Sequence, residues 1–234
     1  MSIKRRKKRY HLKKWVKVTF NIIIELAILF VFLMLGKKDN IIVSTYDINE
    51  LRIKYDNDEV IAKLVIPEIN LETVLTKTDN NDTYLEYNAY KKIDSYGNPF
   101  IDYRNGIPLD TQKQINIYGH NIRNEKLPFS KLEYLLEREI FDSTKYLFLY
   151  TDNNLLVYNI YAIKVITKEE NEHMRLLFAD DNAYKTHLNK LLENTEYCRD
   201  NCNLDIEDDI LVIQTCNFKP KDTYIIVIAK KIYY

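Results

Sequence analysis

The chain is poor in glycine, histidine and cysteine, and each shortage narrows the chemistry that it can perform. Four glycines in 234 residues argue against the glycine-rich loops that cradle phosphates, and neither GxGxxG nor GxxxxGK occurs. Four histidines and three cysteines supply few metal ligands and few nucleophiles. Only a small set of side chains therefore remains as candidates for catalysis.

Acidic residues are missing from the first 17 positions, which carry nine Lys or Arg. The whole chain has 34 basic and 34 acidic residues, so the remainder has 25 against 34 and a net charge of about −9. Such an asymmetry is typical of a chain that lies across a boundary between compartments. Nucleic-acid binding by the basic tail is the alternative, and the apolar segment that follows argues against it.

An apolar run occupies 18–36, and only Asn21 and Glu25 interrupt it. A helix of these 19 residues would span close to the hydrocarbon core of a bilayer. The cost of Glu25 in a membrane, about 3 kcal/mol, is outweighed by the Leu, Ile, Phe and Val residues around it. Basic residues precede the run and no small-residue cleavage site follows it, so we predict an uncleaved, single-pass signal anchor in the cell membrane. The N-terminus is then cytoplasmic, and the chain from residue 37 is extracellular.

The expected segments are a basic cytoplasmic tail at 1–17, the anchor at 18–36, an extracellular stalk with a short helix at 37–57, and a catalytic domain at 58–234. From residue 58 the chain alternates short β-rich runs with helical stretches, so the predicted fold class is mainly β. The strands are too closely spaced for a doubly wound parallel sheet, and a closed or nearly closed barrel is the natural architecture. The predicted helices lie near 46–56, 80–90, 128–144 and 181–198.

Two of the three cysteines, Cys198 and Cys202, lie four residues apart at an expected helix end. They could pair, and the odd count leaves at least one thiol unpaired. Their spacing alone would suit a metal, but no histidine or second cysteine pair lies nearby in sequence, so we predict no metal site. We interpret them as two unpaired thiols in a surface loop.

The candidates for catalysis are His120 and Cys216, which each lie at the end of a β-rich run. Side chains leave the core at strand ends and can line a cleft. A Cys and a His that meet there form the pair that thiol catalysis needs. The alternative is a core cysteine and an unrelated turn histidine. His11 lies in the basic tail, and His173 and His187 are expected on the solvated surface.

The residues around both candidates resemble the motifs of a known family. The run "VIQTC" keeps the Thr and Cys of the sortase nucleophile motif as Thr215 and Cys216, with Ile213 in place of its leucine. The run "NIYGHN" resembles the strand end that carries the sortase histidine, here His120. The segments before that strand, and the long helix at 182–198, resemble class B sortases in particular. The resemblance covers about 58–234.

This resemblance implies a closed β-barrel with short peripheral helices and a membrane-anchored transpeptidase of a Gram-positive bacterium. Cys216 would attack the threonine carbonyl of a sorting signal near the C-terminus of an exported protein, which forms a thioacyl-enzyme. His120 would protonate the departing amine and deprotonate the incoming one. The implied partners are surface proteins with sorting signals and an amine of a peptidoglycan precursor, with no cofactor and no nucleic acid.

One family residue is missing, because sortases carry an arginine at the start of the last strand and no arginine follows Cys216 here. Alignment of that strand puts Tyr224 in its place, where the phenol would donate one hydrogen bond to an oxyanion. Packing is the alternative role for Tyr224. Further candidates for contacts to the substrate are Thr215, Arg104, Lys219 and Lys221, although a structural role is the expected one for Arg104.

Two other functions therefore stay open. The missing arginine favours a sortase-like domain that binds sorting signals or wall peptides but catalyses weakly. Retention of both Cys216 and His120 argues for catalysis. The same pair would also serve an exported cysteine protease, in which water rather than an amine completes the reaction.

Overall fold

The computed structural model describes residues 46–122 and 127–233, which lie in one compact unit, Tyr46–Tyr234. The predicted tail at 1–17 and the predicted anchor at 18–36 lie outside the described residues, as does the first part of the predicted stalk. Within the described ranges, no helix combines the length and the apolar character that crossing a bilayer requires.

In the described part of the chain, nine strands form one sheet, and eight of them close into a barrel. The barrel order is β5–β1–β2–β3–β4–β8–β9–β6, and β6 pairs back onto β5, while β7 adds to β6. The predicted closed, mainly β barrel is therefore confirmed. The strands are β1 (Val60–Ile66), β2 (Leu71–Thr76), β3 (Phe100–Ile101), β4 (Gln114–Tyr118), β5 (Tyr146–Thr151), β6 (Leu155–Thr167), β7 (Tyr197–Cys198), β8 (Ile210–Asn217) and β9 (Thr223–Lys231).

Alternate side chains of β9 belong to two different hydrophobic cores. Ile225, Val227 and Ala229 point into the barrel, where they join its interior core. Ile226 and Ile228 point outward into a second core. This division follows from the alternation of side chains along a strand.

Short helices cover the outside of the barrel, and they are α1 (Ile48–Tyr55), α2 (Thr83–Glu86), α3 (Arg138–Ser143) and α4 (Asp181–Leu192). Asp47 caps α1 by accepting a hydrogen bond from the Asn49 amide. Ile48 of α1 is buried against Phe148 and Tyr150 of β5. The predicted helix near 46–56 is confirmed at α1.

Three predicted helices differ from the structure. The helix expected at 80–90 is limited to Thr83–Glu86, because Tyr87 adopts an extended conformation. The helix expected at 181–198 ends at Leu192, because Asn194 has a left-handed φ of 56° and the chain then pairs with β6 as strand β7. The helix expected at 128–144 divides into a 3₁₀ helix, Pro128–Leu136, followed by α3.

The interpretation of Cys198 and Cys202 as unpaired thiols is wrong, because they form a disulfide with Cα atoms 5.3 Å apart. The chain between them turns sharply through left-handed φ angles at Asp200, Asn201 and Cys202. This turn brings the two side chains back to one another. Cys216 is then the free cysteine among the described residues.

Candidate functional site

Strands β4 and β8 bring the sequence-predicted histidine and cysteine together. They are parallel neighbours with Tyr118 opposite Gln214, so both run towards the same edge of the sheet. His120 and Cys216 each come two residues later and therefore lie at that shared edge. Both line a cavity of about 370 Å³, which we call the tyrosine cavity because Tyr118 and Tyr224 also line it.

Three hydrogen bonds tie the loop that carries His120 to the strand that carries Cys216. They run from the Gly119 amide to the Gln214 carbonyl (3.3 Å), from the Thr215 hydroxyl to the Gly119 carbonyl (2.8 Å), and from the Asn121 side-chain amide to the Cys216 carbonyl (3.1 Å). These bonds fall on both sides of His120. They extend the connection between the two chain segments beyond the end of β4, which fixes the histidine relative to the cysteine.

Asn121 is a positioning residue that the sequence analysis missed. Its side chain is 1% exposed, and besides the Cys216 carbonyl its amide contacts Glu133 (2.6 Å) while its oxygen accepts from the Ser130 hydroxyl (2.8 Å). These hydrogen bonds hold the Asn121 side chain in one orientation, since breaking any of them leaves a buried polar group unpaired. Its place directly after His120 was the available sequence signal.

Gly119 is required by close packing. A Cβ atom there would lie 2.6 Å from the Phe129 ring, and Phe129 is fully buried in the barrel core. Any larger residue would have to displace that ring. The glycine before His120 therefore lets the histidine loop pass directly over the core.

One ring nitrogen of His120 is already engaged. Nε2 lies 3.0 Å from the Leu85 carbonyl, and because a carbonyl only accepts, Nε2 carries the proton of this bond. The ring also lies close to Gly97, whose φ is +61° and whose Cβ position would be 3.2 Å from the His120 Cδ2 atom. The arrangement leaves Nδ1 as the nitrogen that can exchange a proton with reacting groups.

Cys216 is half-buried, and this burial governs its ionisation. Loss of hydration disfavours the thiolate and raises the pKa of Cys216, while the positive charge of Lys168 acts in the opposite direction. The thiol therefore stays largely protonated at neutral pH in the free protein. A base within the site has to remove its proton before it can act as a nucleophile.

Tyr224, which alignment puts in the place of the family's arginine, lies directly across from Cys216 in the sheet. The two are Cα partners in the antiparallel β8–β9 pair, so their side chains share one face of the sheet. Both side chains are partly exposed to the tyrosine cavity. The phenol of Tyr224 and the thiol of Cys216 thus line the same cavity.

Two of the other candidates, Thr215 and Arg104, use their polar groups in contacts within the protein. Thr215 is 2% exposed and uses its hydroxyl to hold Gly119. Arg104 forms a bidentate pair with Asp102 (2.9 and 2.6 Å) and also donates to the Met174 carbonyl (2.9 Å). Burial of Asp102 opposes its ionisation, but the bonds from Arg104 and Tyr118 prevail and lower its pKa.

The expectation that His173 and His187 are surface residues is wrong, because they are 4% and 0% exposed. His173 bonds to Gln214 (2.5 Å), and His187 bonds to Glu172 (3.0 Å) and Gln114 (2.7 Å). Burial lowers the pKa of both histidines. Their polar partners come from distant segments, which explains why neighbouring sequence misled the prediction.

A second cavity, of about 400 Å³, opens on the other side of the candidate pair. His120 and Cys216 line it together with two lysines, Lys168 and Lys221, and we call it the lysine cavity. The pair therefore lies on a ridge between two cavities of different character.

The arrangement combines a thiol, an imidazole and a phenol at the boundary of two grooves. This set can perform nucleophilic attack, proton transfer and oxyanion stabilisation without a metal. Across the described residues, no group of three or more His, Cys, Asp or Glu side chains is placed to hold a metal ion.

No family model matches the chain, and no curated protein matches it. Solved structures do resemble it. Clostridium perfringens sortase B is 25% identical, with a TM-score of 0.72 over 79% of this chain and 100% of that one. Bacillus anthracis sortase B in complex with AAEK1 is 22% identical, with a TM-score of 0.68 over 79% of this chain and 83% of that one. A Staphylococcus aureus sortase B–substrate complex is 20% identical, with a TM-score of 0.70 over 86% and 91% of the two chains.

These likenesses extend along most of both chains. The chain therefore has the fold of class B sortases, and the resemblance that the "YGHN" and "QTC" runs carry is confirmed.

Proposed function

We propose that the protein is a sortase-type cysteine transpeptidase of class B. It cleaves a C-terminal sorting signal on exported proteins and joins the new carboxyl end to an amine of peptidoglycan. The observation that carries this proposal is the meeting of His120 and Cys216 at the shared edge of β4 and β8, with hydrogen bonds on either side of the histidine. The sortase B fold supports the same reaction.

The reaction follows from the groups present. His120 takes the proton of the Cys216 thiol, the resulting thiolate attacks the carbonyl carbon of the scissile bond, and the oxyanion that forms accepts a hydrogen bond from Tyr224. His120 gives a proton to the departing amine as the C–N bond breaks, which leaves a thioester. An acceptor amine then attacks the same carbon, passes a proton to His120 and expels the Cys216 sulfur.

Thioester chemistry explains why no cofactor is invoked. The thioester keeps the acylating power of the peptide bond, so the second amine can react without ATP. Water competes with that amine, and the two cavities beside Cys216 give bound substrates the means to exclude it.

A weakly catalytic binding domain is the second candidate, because no arginine follows Cys216. Loss of one oxyanion donor lowers turnover by about 10²- to 10³-fold in known enzymes. Tyr224 offers a hydroxyl in place of the guanidinium, with one donor and no charge. If this single donor stabilises the oxyanion sufficiently, the protein is an enzyme; if it does not, the protein is a binding domain.

Product analysis distinguishes the candidates. The purified protein is incubated with a library of sorting-signal peptides and an amine, and products are identified by mass spectrometry. A transpeptidase gives peptides joined to the amine, whereas a protease gives hydrolysed peptides alone. Bound but unchanged peptides would favour the binding domain, and Cys216→Ala is the control that must abolish both products.

We also propose that the basic tail and the segment 18–36 anchor the enzyme in the cell membrane with its catalytic domain outside. The support is the arrangement of nine basic residues before an apolar run. Protease added to intact, wall-stripped cells is expected to degrade the domain at 58–234. Complete protection of that domain would contradict the proposed orientation.

A further inference from the structure

The ridge on which Cys216 and His120 lie separates two cavities with different charges. Among the described residues that line the tyrosine cavity, Asp82 is the one Asp, Glu, Lys or Arg. The charged residues that line the lysine cavity are Lys168, Lys221 and Asp222. Both cavities therefore reach the same sulfur and the same imidazole, but among the described lining residues those of the lysine cavity carry a net positive charge.

The lysine cavity has a fixed wall. Asn217 is 5% exposed, and its side-chain amide donates to the Lys219 carbonyl (3.0 Å). The Thr223 hydroxyl donates to the Pro220 carbonyl (2.8 Å) at the other end of the same loop. The loop between β8 and β9 is thereby held by side chains at both ends, so the cavity exists before any ligand binds.

The two lysines of this cavity differ in whether an acidic side chain already forms an ion pair with them. Lys168 forms an ion pair with Asp222 (3.0 Å). Lys221 is exposed and makes no ion pair with any residue in the described ranges. An entering anion would therefore meet one uncompensated ammonium group on Lys221 and a second one that Asp222 shares.

A transpeptidase needs a second binding site, because a donor peptide and an acceptor amine must both reach the acyl carbon on Cys216. We infer that the lysine cavity is the acceptor subsite and that it selects amines whose molecules also carry a carboxylate. Lys221, with help from Lys168, binds that carboxylate. The inference rests on the proposed transpeptidase function and adds the chemical class of its acceptor.

The binding contributes to the second half of the reaction alone. The acceptor nitrogen forms a bond to the acyl carbon, the bond from that carbon to the Cys216 sulfur breaks, and the amine proton moves to His120. The carboxylate remains ionised and bound throughout. The lysines therefore change how well the acceptor competes with water and leave formation of the thioester unchanged.

Triglycine and triglycinamide provide a matched pair of probes, since they differ at the carboxylate while the amine that reacts is at the opposite end of the peptide. Their binding to the full-length wild-type protein is measured by NMR titration without a donor. We expect triglycine to bind about two- to fivefold more tightly, the range of exposed ion pairs. Resonances of Asn217 and Lys221 should shift, and high salt should reduce the difference.

Three variants of exposed residues make the test specific. Lys221→Gln should remove the preference for triglycine, whereas Lys219→Gln, in the same loop but outside the cavity lining, should keep it. Asp222→Asn should increase the preference, because it frees Lys168. Asparagine tolerates the left-handed φ of 59° at this position, so the fold is retained.

Equal affinity for both probes, or shifts confined to other parts of the protein, would overturn the inference. A parallel measurement of acyl-enzyme formation by intact mass keeps the proposed function separate, since it needs no acceptor. If the acyl-enzyme forms but triglycine and triglycinamide compete equally with water, the acceptor subsite lies elsewhere and the transpeptidase stands. If Lys221→Gln slows acyl-enzyme formation instead, the cavity receives the departing part of the donor, and the inference is wrong.

Discussion

A single hydrogen bond at His120 determines which of its nitrogens is available for chemistry. The Leu85 carbonyl holds the proton on Nε2, and the adjacent Asn121 bonds to the Cys216 carbonyl. The orientation of the imidazole is therefore fixed both by the hydrogen bond of its ring and by the contacts of the neighbouring residue. Sequence motifs identified the histidine and the cysteine, but the contacts that orient them come from residues that the motifs do not single out.

Tyr224 decides whether the site can catalyse efficiently without the arginine. In Tyr224→Phe the ring still packs opposite Cys216, but the hydroxyl donor is lost. We expect kcat to fall by about 10-fold or more, because the oxyanion loses a hydrogen bond in the transition state. Steady-state kinetics on the best donor peptide measures this effect, and thermal unfolding verifies that the fold is intact.

Unchanged kinetics in Tyr224→Phe would remove the phenol from the mechanism. Another donor would then have to stabilise the oxyanion, and Arg104 is already engaged with Asp102. A Tyr224→Arg variant with activity well above the wild type would identify the natural enzyme as a weakened one.

The ionisation of Cys216 gives a second prediction. Burial favours the neutral thiol and raises its pKa, so the thiolate fraction increases only towards alkaline pH. We expect the rate of alkylation by iodoacetamide to be low at pH 7 and to rise about tenfold per pH unit until it levels off above the usual thiol pKa of about 8.5. Mass spectrometry of the labelled protein measures the rate. A rate that is already constant below pH 7 would mean a stabilised thiolate and contradict the burial argument.

The parallel pairing of β4 with β8 is the element-level fact that assembles the site. Gln114 lies opposite Ile210, so the partners are almost a hundred residues apart in the chain. Sequence patterns identify each strand but carry no information on which distant strand becomes its neighbour. The family motifs supplied the pairing of His120 with Cys216 indirectly, by resemblance.

Long-range contacts also explain the elements that the sequence misjudged. The polar residues around His173 and His187 suggested a solvated helix, yet their partners Gln114 and Gln214 lie on β4 and β8. Likewise, the apolar spacing before Cys198 favoured one continuous helix. Pairing of β7 with β6 overrides that propensity, because the last residues gain backbone bonds to the sheet.

The Cys198–Cys202 disulfide is expected to stabilise the turn that follows β7. For so short a loop the contribution to the free energy of unfolding is about 2 kcal/mol. The double variant Cys198→Ser/Cys202→Ser should therefore unfold at a lower urea concentration while alkylation of Cys216 is unchanged. Equal midpoints for the variant and the oxidised wild type would show that the bond contributes nothing.

The closure of the barrel could be anticipated at the scale of the whole molecule. Many short, closely spaced strands favour a barrel, and the pairing of β5 with both β1 and β6 completes it. The sequence could not give the order of the strands, because that order follows from how all hydrophobic faces are buried together. The cytoplasmic location of the basic tail and the membrane anchor at 18–36 stay predictions.

Two leucines test whether the barrel interior is the stabilising core. Leu149 is fully buried in it, whereas Leu177 is 84% exposed. We expect Leu149→Ala to lower the free energy of unfolding by about 3 kcal/mol, because it leaves a cavity among packed side chains. The same change at Leu177 should have an effect within about 0.5 kcal/mol. Urea denaturation measures both, and similar losses at the two positions would refute the assigned core.

The central claim is that Cys216 forms a thioester with a cleaved sorting signal, and the mass of the intact protein tests it most directly. The protein is exposed briefly to a panel of sorting-signal peptides, quenched in acid, and digested to locate any adduct. We predict a mass increase equal to the amino-terminal part of one peptide, on the fragment that contains Cys216. The adduct should be absent in Cys216→Ala and should disappear faster when an amine is added. An unmodified Cys216 with every peptide, in protein whose thiol still reacts with iodoacetamide, would contradict the account.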